Sequence, residues 1–346
     1  MRIGVVGTGV IGKLRIQSIL DNPATSLAGV LDVSKQTASD AVAGTSARAF
    51  TNLAEFLDLE MDAVVVSSPP EYHESAARAA LERGRHVLCE KPLSNTVEAG
   101  RRIVETARKA ERVLAVGFNL RYYPFMKFVK AAIDEGRIGK IDHVRVFGGH
   151  DGLHNFRADW QYKAPASGGG AMMDVGIHTS DLARYVLGEV KSVYGFMSES
   201  VWQVPGSEDN AVAVFLSPSG IPATYHATWS EWKGYRTYIE VYGTHGMVRG
   251  SYAPMQNLLI TQDGPDAPRK KIRRFYPEIM VREKLKSWKT TALLSFKEEL
   301  RDFIATTAGA KGLPLANGND GLRALELAAA VRQSTQTNEV IHLPPL

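Results

Sequence analysis

Ile3-Gly4-Val5-Val6-Gly7-Thr8-Gly9-Val10-Ile11-Gly12 is a short β-branched run that ends in a glycine turn, and a helical pattern follows it through Leu20. With 31 glycines in 346 residues, a GxGxxG string by itself decides little. Its setting decides more, because it closes the first strand and opens the first helix. Gly7 suits a tight turn, Gly9 lets backbone approach a pyrophosphate, and Gly12 lets the helix pack close to the sheet. A helix N-terminus offers unpaired N–H groups and the positive end of a dipole to phosphate. Asp32 follows 20 residues after Gly12, at the tip of a second strand pattern over Leu27 to Leu31. There a carboxylate accepts hydrogen bonds from the adenosine ribose and repels a 2′-phosphate. The turn therefore predicts NAD, with NADP as the alternative that Ser34 and Lys35 leave open.

The rhythm continues outward from this turn. Ala47 to Phe50, Asp62 to Ser67, Arg85 to Cys89 and Val113 to Gly117 read as further strands, with helical patterns at Glu71 to Arg83 and Thr96 to Glu111. The run Asp62-Ala-Val-Val-Val-Ser67 is almost wholly apolar, as a parallel strand buried on both faces requires. Strands alternating with helices predict right-handed crossovers and a doubly wound sheet. A Rossmann domain over residues 1–120 is expected. Beyond Asn119 the rhythm changes. A helix at Pro124 to Glu135, a long strand at Ile141 to Gly149 and a helix at Ala171 to Leu187 are followed by strand patterns near 190–201, 210–217, 221–230, 235–242, 246–251 and 256–262. Helices near 292–309 and 320–335 end the chain. Short turns between the strands predict a large open, mostly antiparallel sheet in an α+β domain over residues 121–346. Its outer face is most cheaply covered by a second subunit.

Composition narrows the function classes. The chain is 44% hydrophobic and 23% charged, the mixture of a folded domain rather than a disordered one. A net charge of +4 from 41 Lys and Arg against 37 Asp and Glu is too thin to argue for nucleic acid or an anionic membrane. The run Arg269-Lys-Lys-Ile-Arg-Arg274 stands alone and reads as a solvated arm or subunit rim. No apolar run approaches the roughly 20 residues that cross a bilayer, and the first residues lack the features of a signal peptide. The single cysteine, Cys89, excludes a disulfide framework and a cysteine-rich zinc site. A cytoplasmic protein without a metal is the expectation.

Three more segments carry chemistry. Ser68-Pro69-Pro70 with His73 follows the fourth strand, and Glu90-Lys91-Pro92 follows the fifth. Gly168-Gly-Gly-Ala-Met-Met-Asp174-Val-Gly176-Ile-His178-Thr-Ser-Asp181 opens the helix of the second domain. Lys91 thus stands past the carboxyl end of a parallel strand, where open α/β sheets bind ligands, and Pro92 restricts its backbone to extended conformations. Asp174 and His178 are four apart on a helix and share a face. A carboxylate beside an imidazole can fix its tautomer and raise its basicity.

Taken in order with the N-terminal glycine turn, these motifs resemble the Gfo/Idh/MocA oxidoreductases, which include glucose–fructose oxidoreductase and inositol dehydrogenase. The resemblance covers residues 1–190 by motif and the remainder by layout. It implies a secondary-alcohol dehydrogenase acting on a sugar, sugar derivative or cyclitol, paired as a homodimer or homotetramer through the C-terminal sheet. It implies that Lys91 lies beside the nicotinamide and the reacting hydroxyl, that His178 exchanges the hydroxyl proton, and that Asp174 holds substrate or imidazole. Gly7, Gly9, Val10, Ile11, Gly12, Asp32, Ser68, Pro69, His73, Glu90 and Lys91 would bind the cofactor. Asn119, His154 and Trp160, the last two in a loop of hydrogen-bonding and aromatic residues starting at His150, are the candidates for contact with substrate, alongside Lys91, Asp174 and His178. Asp181 would orient His178 or simply lie at the surface. Trp229, Trp232, Tyr235 and Arg236 read first as packing residues. A metal held by His178, Asp174 and His150 or His154 finds no supporting spacing. Two rival functions share these motifs: an NAD-dependent glycosidase working by transient oxidation and elimination, and a non-catalytic NAD-binding regulator. Retention of both Lys91 and His178 speaks against the second.

Overall fold

A computed structural model describes residues 1–152, 158–264 and 266–345. The chain forms two compact units, Met1–Tyr122 with Lys286–Arg323, and Tyr123–Leu285 with Ala324–Leu346. The chain passes from the first unit to the second after Tyr122, returns to the first at Lys286 and leaves it again at Ala324.

The first unit is built on a sheet of seven strands. In chain order these include β1 (Arg2–Val6), β2 (Ser26–Leu31), β3 (Arg48–Phe50), β4 (Ala63–Val66), β5 (His86–Cys89) and β6 (Leu114–Val116). They run parallel in the order β6-β5-β4-β1-β2-β3, and a two-residue strand, Ala316–Asn317, adds antiparallel beside β6. The order reverses between β1 and β4, the crevice where doubly wound sheets take their ligands. Every residue of β4 is buried, which explains its unbroken apolar sequence. Ile3, Val5, Val30, Val65 and Leu88 share a core with Leu300 and Phe303 from the returning helix Lys289–Thr307. Two short helices, Lys35–Val42 and Leu53–Leu57, were not evident from the sequence.

The second unit holds a nine-stranded sheet. Its strands are β7 (Ile141–Gly149), β8 (Ser192–Ser198), β9 (Asn210–Leu216), β10 (Pro222–Thr228), β11 (Arg236–Gly243), β12 (Gly246–Tyr252), β13 (Gln256–Thr261) and β14 (Lys270–Phe275). The order is β14-β13-β12-β11-β7-β10-β9-β8, with Ile341–His342 at the far edge; only β7 and β10 are parallel neighbours. The basic run, expected to be a solvated arm or subunit rim, forms an edge strand, with all six residues of β14 exposed. Helices Pro124–Asp134 and Ile177–Leu187 cover one face. On β9 the alternation is regular, with Ala211, Ala213 and Phe215 buried and Val212 and Val214 exposed.

Candidate active site

In the first unit the glycine turn has the form a dinucleotide needs. Gly7 takes φ +86°, a conformation that favours glycine. A Cβ on Gly12 would strike the Gly7 carbonyl, so helix and strand approach as closely as the motif requires. A Cβ on Gly9 would meet nothing within 4 Å. That open backbone heads the helix Val10–Leu20, which has neither a side-chain cap nor an acidic residue in its first turn. Its free amides suit a pyrophosphate. Val10 is 44% exposed beside them; Ile11 is half-buried.

Asp32 is held rather than loose. Its Oδ2 accepts from the Thr8 amide at 2.8 Å and the Thr8 hydroxyl at 2.7 Å, and Oδ1 accepts from the Ser34 amide at 3.0 Å. The carboxylate is therefore locked to the turn.

His73 is buried, with Nε2 2.7 Å from the Ser68 carbonyl and Nδ1 3.0 Å from the Pro92 carbonyl. Burial pushes this imidazole below its usual pKa. The ring ties the Ser68-Pro69-Pro70 loop to the Glu90-Lys91-Pro92 loop, so both its nitrogens are committed within the protein. Glu90 is likewise committed. Its Oε1 accepts from Arg15 Nε at 2.7 Å and Nη2 at 2.5 Å, and Oε2 accepts from the Lys91 amide at 3.3 Å. Arg15 Nη1 lies 2.5 Å from Glu299 Oε2, and Phe296 packs against the guanidinium. Lys91 itself is only half-buried. Asn119 is buried and donates from Nδ2 to Ser295 Oγ at 2.9 Å, so its amide nitrogen is turned inward.

In the second unit the expected continuous α-helix begins instead with a π-helical turn, Met172–Gly176, and becomes α-helical at Ile177–Leu187. Such turns gather at functional sites. From Ala171 to Arg184 every residue is buried except Asp174 and His178. Asp181 is 1% exposed, which removes the surface role considered for it. Gly176 packs where a Cβ would strike the Tyr225 hydroxyl. The turn is anchored by Glu208, whose carboxylate accepts from the Gly170 amide at 3.1 Å and the Met172 amide at 2.8 Å. Burial pushes the Glu208 carboxyl up.

Asp174 Oδ2 meets two nitrogens, His150 Nε2 at 2.7 Å and the indole Nε1 of Trp229 at 3.1 Å. Trp229 is therefore more than packing. Its carbonyl accepts from Trp202 Nε1 at 2.9 Å, and Trp202 lies 5.9 Å from the Trp232 ring, centroid to centroid. Trp232 is 68% exposed. Trp160 is half-buried in a short turn, Asp159–Tyr162. His154 lies outside the described residues. Among the described residues no group of three His, Cys, Asp or Glu is arranged to hold a metal ion.

The sequence reading had not singled out Arg15, Glu299, Glu208 or the His150–Trp229 pair for these contacts. A faint signal existed for Arg15 and Glu299. Each is a charge on an otherwise buried helix face, with Gly12, Ile16 and Ile19 or with Phe296, Leu300 and Phe303.

The glycine turn, the switch-point crevice and the locked Asp32 define an NAD-binding oxidoreductase. Residues 1–118 match the family described as "Oxidoreductase family, NAD-binding Rossmann fold", and residues 126–249 match the "GFO/IDH/MocA C-terminal domain". The inositol 2-dehydrogenase of Rhizobium meliloti is 29% identical over 350 residues, covering 98% of each chain. Inositol 2-dehydrogenase 2 of Saccharopolyspora erythraea is 30% identical over 298 residues and 84% of each. Levoglucosan dehydrogenase, solved in complex with NADH, has the same fold, with a TM-score of 0.87 over 100% of both chains at 22% identity. The chain belongs to the GFO/IDH/MocA family of oxidoreductases, and its cofactor is NAD.

Proposed function

We propose that the protein moves a hydride between NAD and a secondary alcohol of a sugar, sugar derivative or cyclitol. The observation that carries this reading is the helix from Ala171 to Arg184, whose only surface-reaching side chains are a carboxylate and an imidazole one turn apart. The names of the relatives, inositol dehydrogenases among them, support an alcohol of that class.

The roles follow from chemistry. Gly9 and the first turn of its helix hold the pyrophosphate, and Asp32 takes the adenosine ribose. Ser68 and Pro69 line the cofactor beside them, while His73 and Glu90 hold the loops that present Lys91. Bound NAD would supply the hydride acceptor. The ammonium of Lys91 stabilises negative charge developing on the substrate oxygen. His178 takes the hydroxyl proton as general base. Its Nδ1 is buried, which supports Nε2 as the nitrogen that exchanges the proton. Asp174 orients the substrate or the imidazole. Trp160, Trp202 and Trp232 supply aromatic surface suited to the apolar face of a sugar ring.

The same reading includes a homodimer or homotetramer in the cytoplasm. Phe196, Val212 and Val214, exposed on the paired strands β8 and β9, support an apolar interface there. No helix among the described residues is long and apolar enough to cross a membrane.

The test is a panel of polyols, sugars and sugar derivatives, with NADH formation followed by absorbance and cofactor content measured in the protein as purified. NAD-dependent oxidation of at least one polyol or sugar is expected. Cleavage of an aryl glycoside without added NAD, and without net redox turnover, would replace this reading with the hydrolytic one.

A further inference from the structure

We infer that His150 is a positioning residue for Asp174, a donor of fixed tautomer that sets the rotation of the carboxylate. The inference rests on the reading above, in which Asp174 serves the reacting alcohol.

Three observations support it. First, the tautomer is decided by the backbone. The Gly152 amide donates to His150 Nδ1 at 2.9 Å, so Nδ1 is an acceptor and carries no proton. In a neutral imidazole the hydrogen then sits on Nε2. Nε2 lies 2.7 Å from Asp174 Oδ2 and donates to it.

Second, the imidazole is immobilised. His150 follows β7 directly, its amide donates to the Thr228 carbonyl at 3.1 Å, and its carbonyl accepts from the Glu231 amide at 3.0 Å. His150 is 4% exposed, and its ring lies at 26° to the indole of Trp229 with centroids 6.3 Å apart. A donor fixed at both backbone ends and on its ring face has little freedom to lose when it orients another group.

Third, the same oxygen takes the Trp229 indole at 3.1 Å, and the Trp229 amide donates to the Asp209 carbonyl at 2.7 Å. Two N–H groups, from the residues that directly follow the parallel neighbours β7 and β10, converge on one oxygen of a residue from a different element. Two fixed directions on one oxygen define the plane of a carboxylate more tightly than one. Asp174 side chain is 30% exposed, so the oriented group still reaches the surface.

The experiment has two arms. In the first, protein labelled with nitrogen-15 histidine is examined by long-range proton–nitrogen correlation, with the His150 signals assigned by their loss in His150→Gln. The Nε2–H tautomer is expected, with a change at Nε2 in Asp174→Asn. An Nδ1–H tautomer or a doubly protonated ring overturns the inference whether or not the enzyme turns over. In the second, His150→Phe keeps an aromatic ring without a donor, while His150→Gln restores an N–H near the Nε2 position. His150→Phe should lower kcat roughly 10- to 100-fold, the scale of a lost hydrogen bond to a charged group, with the KM for NAD unchanged. His150→Gln should recover most of that loss. Turnover of His150→Phe equal to wild type, or a loss in His150→Phe that His150→Gln does not recover, overturns the positioning role. A wild type that oxidises no alcohol sinks the functional reading and the role together, and the tautomer from the first arm then shows separately whether the contact exists.

Discussion

Arg15 grips Glu90, the neighbour of Lys91, with two donors, Nε at 2.7 Å and Nη2 at 2.5 Å from a single carboxylate oxygen. The contact joins the helix that follows the glycine turn to the loop that carries the lysine. Both partners are buried, and Glu299 closes the cluster from the other side of the guanidinium at 2.5 Å. Removing one member of such a cluster leaves buried charge uncompensated. Arg15→Met should therefore cost about 3–5 kcal/mol, read as a lower urea midpoint, and Arg15→Lys should cost less because it keeps the charge but loses the fork. A loss below about 1 kcal/mol for Arg15→Met, the scale of an exposed pair, would show that the cluster does not hold the fold.

The cluster also has a pH signature. Burial, opposed by Arg15 and reinforced by Glu90, pushes the Glu299 carboxyl up from 4.5 to about 7. A carboxyl whose pKa is higher in the folded state binds a proton there before it does in the unfolded chain. Its stabilising contribution is complete below about pH 4.5 and is lost as pH rises to about 7. His73, held below its usual value by burial, acts in the opposite sense, losing stability as pH falls. The difference between wild type and Glu299→Gln isolates the carboxyl. Relative to wild type, Glu299→Gln should gain melting temperature between pH 5 and pH 8. A difference that stays constant across that range would place the Glu299 titration elsewhere.

Asp32 should make NAD bind more tightly than NADP. Thr8 and Ser34 fix its two oxygens, so the negative charge cannot swing away from a 2′-phosphate. Calorimetric titration of both cofactors checks this. Asp32→Ala should weaken NAD by roughly 10- to 100-fold, the scale of hydrogen bonds to a charged group, and narrow the gap to NADP. Tighter binding of NADP by the wild type would mean that Lys35 outweighs Asp32.

Lys91→Ala should lower turnover by on the order of 10²-fold or more while leaving NAD affinity nearly intact, the pattern for a group that acts on transition-state charge. His178→Ala should lower it by roughly 10²–10⁴-fold, the range for a general base. In the proposed mechanism one proton-and-charge event uses both groups, so the losses should not multiply in the double variant. Wild-type turnover in Lys91→Ala would remove the lysine from the chemistry and leave the Rossmann reading untouched.

Assembly offers a separate check. The Phe196–Val212–Val214 patch should be covered by a like subunit, so sedimentation should give a dimer or tetramer at micromolar concentration, and Val212→Lys should shift it toward monomer. A wild type that sediments as a stable monomer would contradict this.

What the sequence disclosed depended on how local the signal was. The strands β1, β2, β4 and β5 announce themselves because, past the opening residues Arg2, Ser26 and His86 of β1, β2 and β5, both faces are buried and the runs are apolar. Asp174 and His178 could be proposed together because four residues separate them on a helix, and in the fold they are the two residues between Ala171 and Arg184 that are not buried. His150 and Trp229, which reach the same carboxylate, stand 24 and 55 positions away and are joined to it only by sheet topology. The salt cluster at Arg15 spans 75 positions to Glu90, and only the folded chain brings them together. That the solvated run is a strand, β14, was hidden for a different reason. An edge strand exposed throughout shows no alternation, and its four charges, Lys270, Lys271, Arg273 and Arg274, have the composition of a solvated arm.

Those four charges govern how the sheet can grow. Its other edge is the strand Ile341–His342, only two residues long and followed in the sequence by Leu343-Pro344-Pro345. One margin repels a second copy of itself and the other is too short, and too close to prolines, to template a new strand. A polypeptide arriving from solution therefore finds two poor starting points for fibril-like extension. The nine strands are a finished set. In the proposed assembly, copies of this chain would stack on the sheet's face without lengthening the sheet, which separates orderly assembly from runaway polymerisation.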